Sequence, residues 1–309
     1  MTTIGWESTE LGARSRRAVG APMTDAECTA FLQWALPRLE RRWLGYRKVR
    51  KLVCKRLAGR IRALALSGLD AYRRHLDTHP GEWEELDGLL SIPISRFYRD
   101  ESVFAKVETE VIPALARAAT AQSRGVLDCW SAGCASGEEP YTLAVVWQLR
   151  VQPLFPSIRL RILGTDMDAA LIARAQRGCY SASSFKGLPA DLVARALGPS
   201  GGELCLNAQF RDVAFLRQDL RAAMPDGPFD LVLCRNVVLT YYDAGVQADL
   251  IGRITARLRP GGALVVGIHE SLPDATAGLE PWPHIRCVYR RILHPPQGSG
   301  HFIAPDASG

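Results

Sequence analysis

The stretch WSAGCASGEEPYTLAVV, Trp130–Val146, decides how the rest of the chain reads. Small residues fill positions 131–137, two adjacent glutamates follow, and an apolar run begins after Pro140. With GVLDCW (125–130) before it, this is a strand, a tight turn and the start of a helix. Glycine lets such a turn adopt conformations that side chains forbid, and proline suits a first helical turn. The turn is neither G-x-G-x-x-G nor G-x-x-x-x-G-K-[ST]. No lysine follows it, and Glu138 and Glu139 would repel a phosphate. A pyrophosphate ligand is therefore disfavoured; hydroxyls or a cationic centre would suit the loop better.

Outward from this point, short apolar runs alternate with helical stretches. RLRILGTD (159–166), VAFLRQDL (213–220), FDLVLCRN (229–236), ALVVGI (263–268) and RCVYRRIL (286–293) read as strands. DAALIARAQ (168–176) and AGVQADLIGRITARLRPGG (244–262) read as helices, the latter ending in a turn at LRPGG that feeds the next strand. Apolar runs without polar alternation fit buried, mostly parallel strands, and strand–helix alternation argues an α/β sheet covered on both faces. The last two strands are close enough for an antiparallel edge hairpin.

Residues 24–92 differ in texture and predict a small all-α domain. Thr24 is set to cap the first helix, with Glu27 completing a capping box. In the basic helix, residues 47–62, Val49, Val53, Leu57 and Ile61 form one apolar stripe, flanked by Leu52 and Leu64. Two short helices follow, broken at Pro80 and Gly81. The expected organisation is a disordered lead at 1–23, the helical domain at 24–92, a linker helix region at 93–124, an α/β domain at 125–294 and a disordered tail at 295–309.

The net charge of +6 is uneven: residues 38–62 hold eleven Lys or Arg and one acid, Glu40, so the remainder is mildly acidic. That basic helix is expected to meet an acidic partner. No stacking series of aromatics accompanies it, so no specific nucleic acid is expected. The chain has no apolar run of membrane-spanning length and no signal core, so neither membrane insertion nor export is expected. The 8 cysteines form no C-x-x-C pair and lie mostly in apolar runs. They read as reduced, buried thiols of a cytoplasmic protein, and no metal site is expected.

Ligands of open α/β sheets bind beyond the carboxyl ends of the strands. Asp166 ends the second strand and is placed to accept ribose hydroxyls. Asp219 and Leu220 suit an adenine, the acid accepting from its amine and the leucine packing on its ring. Arg235 and Asn236 end a buried strand. One nucleoside, no phosphate and a nearby acid, Glu138, suggest S-adenosylmethionine, whose sulfonium is cationic. Glu139 is assigned to capping the helix, and His269 is read as a core or surface histidine.

WSAGCASGEEPYTLA, TDMD, FDLVLCRNV and LRPGGALVVGIHESL, taken together, resemble the CheR family across residues 24–293. The resemblance implies a Rossmann-like S-adenosylmethionine-dependent methyltransferase domain behind a small helical one. It implies an enzyme that esterifies glutamate side chains of chemotaxis receptors and releases S-adenosylhomocysteine. Within ISRFYRDESVF (94–104), Ser95 then takes the family's hydroxyl position and Arg99 the arginine that reaches the methionine carboxylate. Glu138, Asp166, Asp219, Leu220, Arg235 and Asn236 take the remaining cofactor positions. Arg235 and Tyr241 are expected to orient the acceptor carboxylate.

Three departures from the family pattern matter. Pro93 stands where the family often has asparagine. CRNVVLTYYD (234–243) is one residue longer than usual, leaving Tyr241 or Tyr242 beside the methyl group. Residues 188–215 hold Gly201-Gly202 and few strand formers, which argues against the β-subdomain that some members use to dock receptor tails. The acceptor is thus open between a receptor, another protein or a small molecule, and a non-catalytic cofactor-binding module is the further alternative. A monomer is expected.

Overall fold

The structure is a computed structural model describing residues 23–273, 276 and 278–292. The expected disordered lead, save Met23, and the expected disordered tail lie outside the described residues. The chain divides into two compact units. The first comprises the described residues up to 39 and Tyr46–Ser91. The second comprises Glu40–Gly45 and the described residues from 92 onward.

In the first unit, helix α1 (Asp25–Ala35) starts at the expected capping box, where the Thr24 hydroxyl oxygen accepts the Glu27 N–H and Glu27 accepts that of Thr24. Helix α2 (Arg50–Ala63) buries Val53, Leu57 and Ile61 as expected, while Leu52 faces outward. Helices α3 (Leu69–Thr78) and α4 (Glu82–Leu89) flank the break at residues 80–81. Not all of the basic helix is available to a partner. Arg50 pairs with Asp25, Arg56 donates to the Leu89 and Ser91 carbonyls, and Arg60 pairs with the buried Glu82. Arg60, helped by the Tyr72 hydroxyl, holds the Glu82 carboxyl below the usual range. Arg47, Lys48, Lys51, Lys55 and Arg62 are the exposed cations of that stretch.

Glu40–Gly45, expected within the helical domain, belongs instead to the second unit. Arg41 bridges Tyr242, the Arg42 N–H donates to the Tyr241 carbonyl at 2.9 Å, and the Asp243 N–H donates to the Glu40 carbonyl at 2.9 Å. Gly45 packs so closely that a Cβ there would stand 2.2 Å from the Thr240 carbonyl oxygen.

The second unit is built on a seven-stranded sheet in the order β6-β2-β1-β7-β8-β10-β9. These strands are β1 (Val126–Ala132), β2 (Arg159–Asp166), β6 (Ala214–Arg217), β7 (Phe229–Leu233), β8 (Leu258–Val265), β9 (Leu279–Pro281) and β10 (Val288–Arg291). The first five in that order pair in parallel, and β10 runs antiparallel to both β8 and β9. Successive side chains of a strand point to opposite faces. Both faces are apolar here: Leu127, Leu231, Leu233, Ala263 and Val265 enter one core cluster, while Trp130, Val232, Leu264 and Val266 enter another. That double burial explains why the strands read as unbroken apolar runs. Helices α5 (Ile112–Ala121), α6 (Glu138–Val146) and α7 (Ala169–Arg177) join it, as do α8 (Ala190–Ala196), α9 (Val238–Tyr241) and α10 (Ala244–Arg257).

Three expectations need correction. LRPGG is not a turn before a strand but the opening of β8 itself. Its extra residues are absorbed by a register slip opposite Phe229 and Leu231, with Gly261 at φ +80°. A small second sheet, β3-β5-β4, does form from β3 (Cys179–Tyr180), β4 (Leu197–Ser200) and β5 (Glu203–Leu206). Gly201-Gly202, counted against strands, supplies the two-residue hairpin turn between β4 and β5, with φ of +56° and +84°. Both values lie in the region where paired glycines favour tight hairpins. Nor are all thiols reduced: Cys28–Cys54 joins α1 to α2, and Cys179–Cys205 joins facing residues of β3 and β5. Partners 26 residues apart in each bridge could not be read from local spacing. Cys129, Cys134, Cys234 and Cys287 remain free and buried.

Candidate functional site

The chain leaves β1 for β2 and β6 on one side of the sheet, and returns to β7 on the other. The carboxyl ends of β1 and β7 therefore flank the switch point, where open sheets bind ligands. The loop after β1 is shaped by two glycines. Gly133 has φ +74°, and a Cβ there would lie 2.6 Å from Val237; Gly137 has φ +90°, and its Cβ would lie 2.8 Å from Ala175. Between them Ala135, at φ +48°, turns its N–H onto Asp166 Oδ2 at 2.9 Å. The Asp168 N–H donates to the other oxygen at 3.0 Å. Burial pushes the Asp166 carboxyl up, and these two N–H groups pull against that rise. Asp168 itself caps α7 through the N–H groups of Ala170 and Leu171.

Glu138 is 2 % exposed, and both its oxygens accept the Ser136 hydroxyl at 2.9 Å. Glu139 does not cap α6, whose cap residue Gly137 has no side chain for the purpose. It accepts the Ser131 hydroxyl at 2.7 Å and Arg235 Nη1–H at 3.0 Å.

Arg235 also departs from expectation. Its side chain is 2 % exposed, and its Nη2–H donates to Asp100 Oδ2 and to the Arg99 carbonyl, each at 2.7 Å. The guanidinium lies 5.0 Å from the Phe104 ring centre. It is a buried tie between three segments and is not presented to an acceptor. Through it the loop carrying Arg99 is fastened to the sheet. Tyr98 and Asp100, on either side of Arg99, both have positive φ, +55° and +58°. Phe97 stacks on Phe185, the Tyr98 N–H donates to Thr142 at 3.1 Å, and Arg99 reaches back to the Ile94 carbonyl at 2.6 Å. Ser95 sits half-buried in the same loop.

Asn236 has φ +56°, its N–H donates to Glu270 Oε2 at 2.8 Å, and its Nδ2 is buried without a partner. Asp219 follows β6 and grips Arg221 through both carboxylate oxygens. Burial works to raise its carboxyl, but Arg221 brings it below the usual range. Leu220, expected against an adenine ring, is 7 % exposed and packs in the core cluster with Met224 and Tyr242. Tyr241 is half-buried. Its hydroxyl is pushed up by burial and feels the charges of Arg99, Glu270 and Arg41. Tyr242 is 5 % exposed, with the Arg41 guanidinium 4.7 Å from its ring centre, so it belongs to the core. His269 is exposed.

Sequence reading missed Glu270, the penultimate residue of GIHES (267–271). Its only signal was position: an acid just past the carboxyl end of β8. Among the described residues no group of three or more His, Cys, Asp or Glu could hold a metal ion. The residues present fit S-adenosylmethionine. Asn236 Nδ2 is a buried donor lacking an acceptor, Asp166 is a fixed acceptor, and Arg99 can pair with a carboxylate.

A family model described as "CheR methyltransferase, SAM binding domain" matches residues 94–284. Chemotaxis protein methyltransferase 2 of Pseudomonas aeruginosa is 31% identical over 73% of this chain and 80% of its own length. A chemotaxis protein methyltransferase of Listeria innocua is 32% identical over 64% of this chain and 73% of its own. That of Escherichia coli is 30% identical over 72% of this chain and 77% of its own. With a glycine-shaped loop, an acid at the end of β2 and an unpaired amide beyond β7, and with these matches, the chain belongs to the CheR family of S-adenosylmethionine-dependent methyltransferases.

Proposed function

We propose that this methyltransferase transfers the methyl group of S-adenosylmethionine to glutamate side chains of a chemotaxis-type receptor, forming methyl esters. The observation that supports the reading is that Asp166 ends β2, Asn236 follows β7, Tyr241 ends the next helix and Arg99 is tied by its carbonyl to Arg235, beside Asn236.

Arg99 would pair with the methionine carboxylate, and Asp166 would accept the ribose hydroxyls. Asn236 and Glu138 would complete the cradle, with Asp219 toward the adenine amine and Ser95 beside Arg99. When bound, the cofactor supplies an electrophilic methyl group on a sulfonium. A glutamate carboxylate is already nucleophilic near neutral pH, so no strong base is needed. What the protein must do is align one carboxylate oxygen with the methyl group and exclude water. Such alignment can contribute about 7–11 kcal/mol in favourable cases. Tyr241 is the rim residue placed to orient that oxygen. Arg235 is not, because both of its Nη groups are held by Glu139, Asp100 and the Arg99 carbonyl.

The exposed Arg47, Lys48, Lys51 and Lys55 would receive an acidic helical segment carrying the target glutamates. The β3-β5-β4 sheet would be the element to dock a receptor tail, as the β-subdomain of some family members does. A receptor acceptor implies the cytoplasm; no described helix is long and apolar enough to cross a membrane.

The test uses purified enzyme, methyl-labelled cofactor and a receptor signalling fragment. Base-labile release of labelled methanol from the fragment is expected. Turnover without protein label would transfer the reading to a small-molecule acceptor, and cofactor binding without turnover would reduce it to a binding module. Arg99→Ala should weaken cofactor binding at least about tenfold, as loss of a charge-assisted hydrogen bond requires, without matching loss of stability.

A further inference from the structure

Glu270 is an acid that the reaction scheme above does not use, and it gathers three donors from three segments of the rim. Its Oε2 accepts the Asn236 N–H at 2.8 Å, beyond β7, and the Gly267 N–H at 2.7 Å, beyond β8. Its Oε1 accepts the Thr240 hydroxyl at 2.5 Å, within α9 and one residue before Tyr241. Its own N–H donates to the Gly267 carbonyl at 2.9 Å, closing the turn that folds the carboxylate back over the strand ends.

The neighbours are built around this carboxylate. β7 and β8 are paired up to the Cys234 N–H and the Val265 carbonyl, 2.9 Å apart. Beyond that point the backbone of Asn236 turns into the left-handed region, which asparagine tolerates better than most residues but still at a cost. The N–H thus turned away from the ladder is the one that Glu270 receives. Gly267 leaves the room: a Cβ there would stand 2.8 Å from Glu270 Oε2 and 2.9 Å from Asn236 Oδ1. Both oxygens of this one side chain thus serve as acceptors, and three donors converge on them.

What Glu270 holds is what the cofactor and the acceptor would meet. Asn236 keeps a buried amide donor with no partner in the protein, and Tyr241 is close enough to Glu270 to feel its charge. We propose that Glu270 is a positioning residue: it fixes the amide of Asn236 for the cofactor and the turn carrying Tyr241 for the acceptor, in a single bidentate arrangement. This rests on the methyltransferase reading above and adds to it a residue that touches neither reactant.

The test compares Glu270→Gln, Glu270→Asp and Thr240→Val with the unaltered protein. It measures the Kd for S-adenosylhomocysteine by calorimetry, kcat and KM for methyl transfer, and melting temperature. Glu270→Gln removes the charge and replaces one accepting oxygen with an NH2 group; its Kd should rise about tenfold, as for a lost hydrogen bond to a charged group. Its kcat should fall about 100-fold, as for a displaced reacting group. Glu270→Asp should recover part of both. Thr240→Val leaves the two N–H bonds in place, so it should lower kcat while leaving Kd unchanged. A purely structural role would lower the melting temperature but leave the folded protein binding and turning over normally well below it. Unaltered Kd and kcat in Glu270→Gln would overturn the proposal. Should that variant not fold, an unaltered kcat in Thr240→Val would overturn it instead. Failure of the unaltered protein to bind S-adenosylhomocysteine is a different result and would overturn the cofactor reading itself.

Discussion

Arg235 and Glu139, separated by 96 positions in the chain, meet at 3.0 Å beneath the rim of the sheet. The same guanidinium reaches Asp100 and the Arg99 carbonyl. One side chain thus joins the end of β7, the first turn of α6 and the loop that carries Arg99. The second glutamate of the EEP string has its use here: it is a counter-ion, and the first glutamate is left to line the loop.

Removing that tie should be costly. Arg235→Ala leaves Glu139 and Asp100, 15% and 16% exposed, without their cation. Breaking a buried pair by deleting one partner typically costs about 3–5 kcal/mol. Urea unfolding of Arg235→Ala should show a loss of that order. Cofactor affinity should fall as well, because the Arg99 carbonyl loses its donor. Arg235→Lys, with one compact charge, cannot span the same partners and should recover only part of the loss. A stability change within about 0.5 kcal/mol, the range of ordinary surface substitutions, would refute the structural role.

Asp166 should show the opposite balance between stability and binding. Its carboxyl lies above the usual range because burial disfavours the charged form. A carboxyl raised on folding contributes stability below its unfolded pKa and loses that contribution as pH rises through the folded value. At neutral pH the ionised group is thus a burden on the free protein. Asp166→Asn should raise the melting temperature of the free protein at neutral pH, and that advantage should shrink on acidification into the carboxylate range. The same change should weaken cofactor binding by removing an acceptor for ribose hydroxyls. An advantage that grows on acidification would contradict the direction of the shift.

The two disulfides make a separate prediction. Each joins cysteines 26 residues apart, and closing a loop of that length is worth about 3.5 kcal/mol on the chain-entropy account. Denatured, unreduced protein should titrate with four thiols and reduced protein with eight. Reduction should lower the melting temperature, and Cys28→Ser with Cys54→Ser should reproduce the part due to the first unit. Eight thiols without reductant would restore the reading of these cysteines as reduced.

The sequence declared what depends on local pattern. Apolar runs without alternation announced buried parallel strands, and Thr24 with Glu27 announced the first helix. The place of Asp166 at the end of β2 was legible from the apolar run before it. Roles set by long-range partners were not legible. Arg235 reads as a residue of the cofactor and acceptor site until the fold brings Asp100 and Glu139 to it, and nothing marks Glu270 until the fold brings Asn236 and Gly267 together. Gly201-Gly202 misled for a different reason: paired glycines weaken a strand interior but favour a hairpin turn. Only the register of β4 and β5 tells which of the two they occupy.

The extra residue in CRNVVLTYYD left two tyrosines in competition, and packing separates them. Tyr242 lies in the core cluster with Leu250 and Ile254 and holds Arg41 over its ring. Tyr241 ends α9, half-buried, and feels the charge of Arg99, the residue expected to grip the cofactor. The two should fail differently. Tyr241→Phe removes one hydroxyl from the rim, worth about one hydrogen bond or roughly a tenfold change in rate. It should lower kcat by about that much and leave the Kd for S-adenosylhomocysteine and the melting temperature unchanged. Tyr242→Ala should instead cost about 3–5 kcal/mol of stability, as expected for truncating a buried aromatic ring. Below its melting temperature its kcat should stay near that of the unaltered protein. If Tyr241→Phe were silent in kcat while Tyr242→Phe lowered it, the residue beside the methyl group would be Tyr242. The chain from Val238 to Asp243 would then have to shift by one position when the acceptor binds.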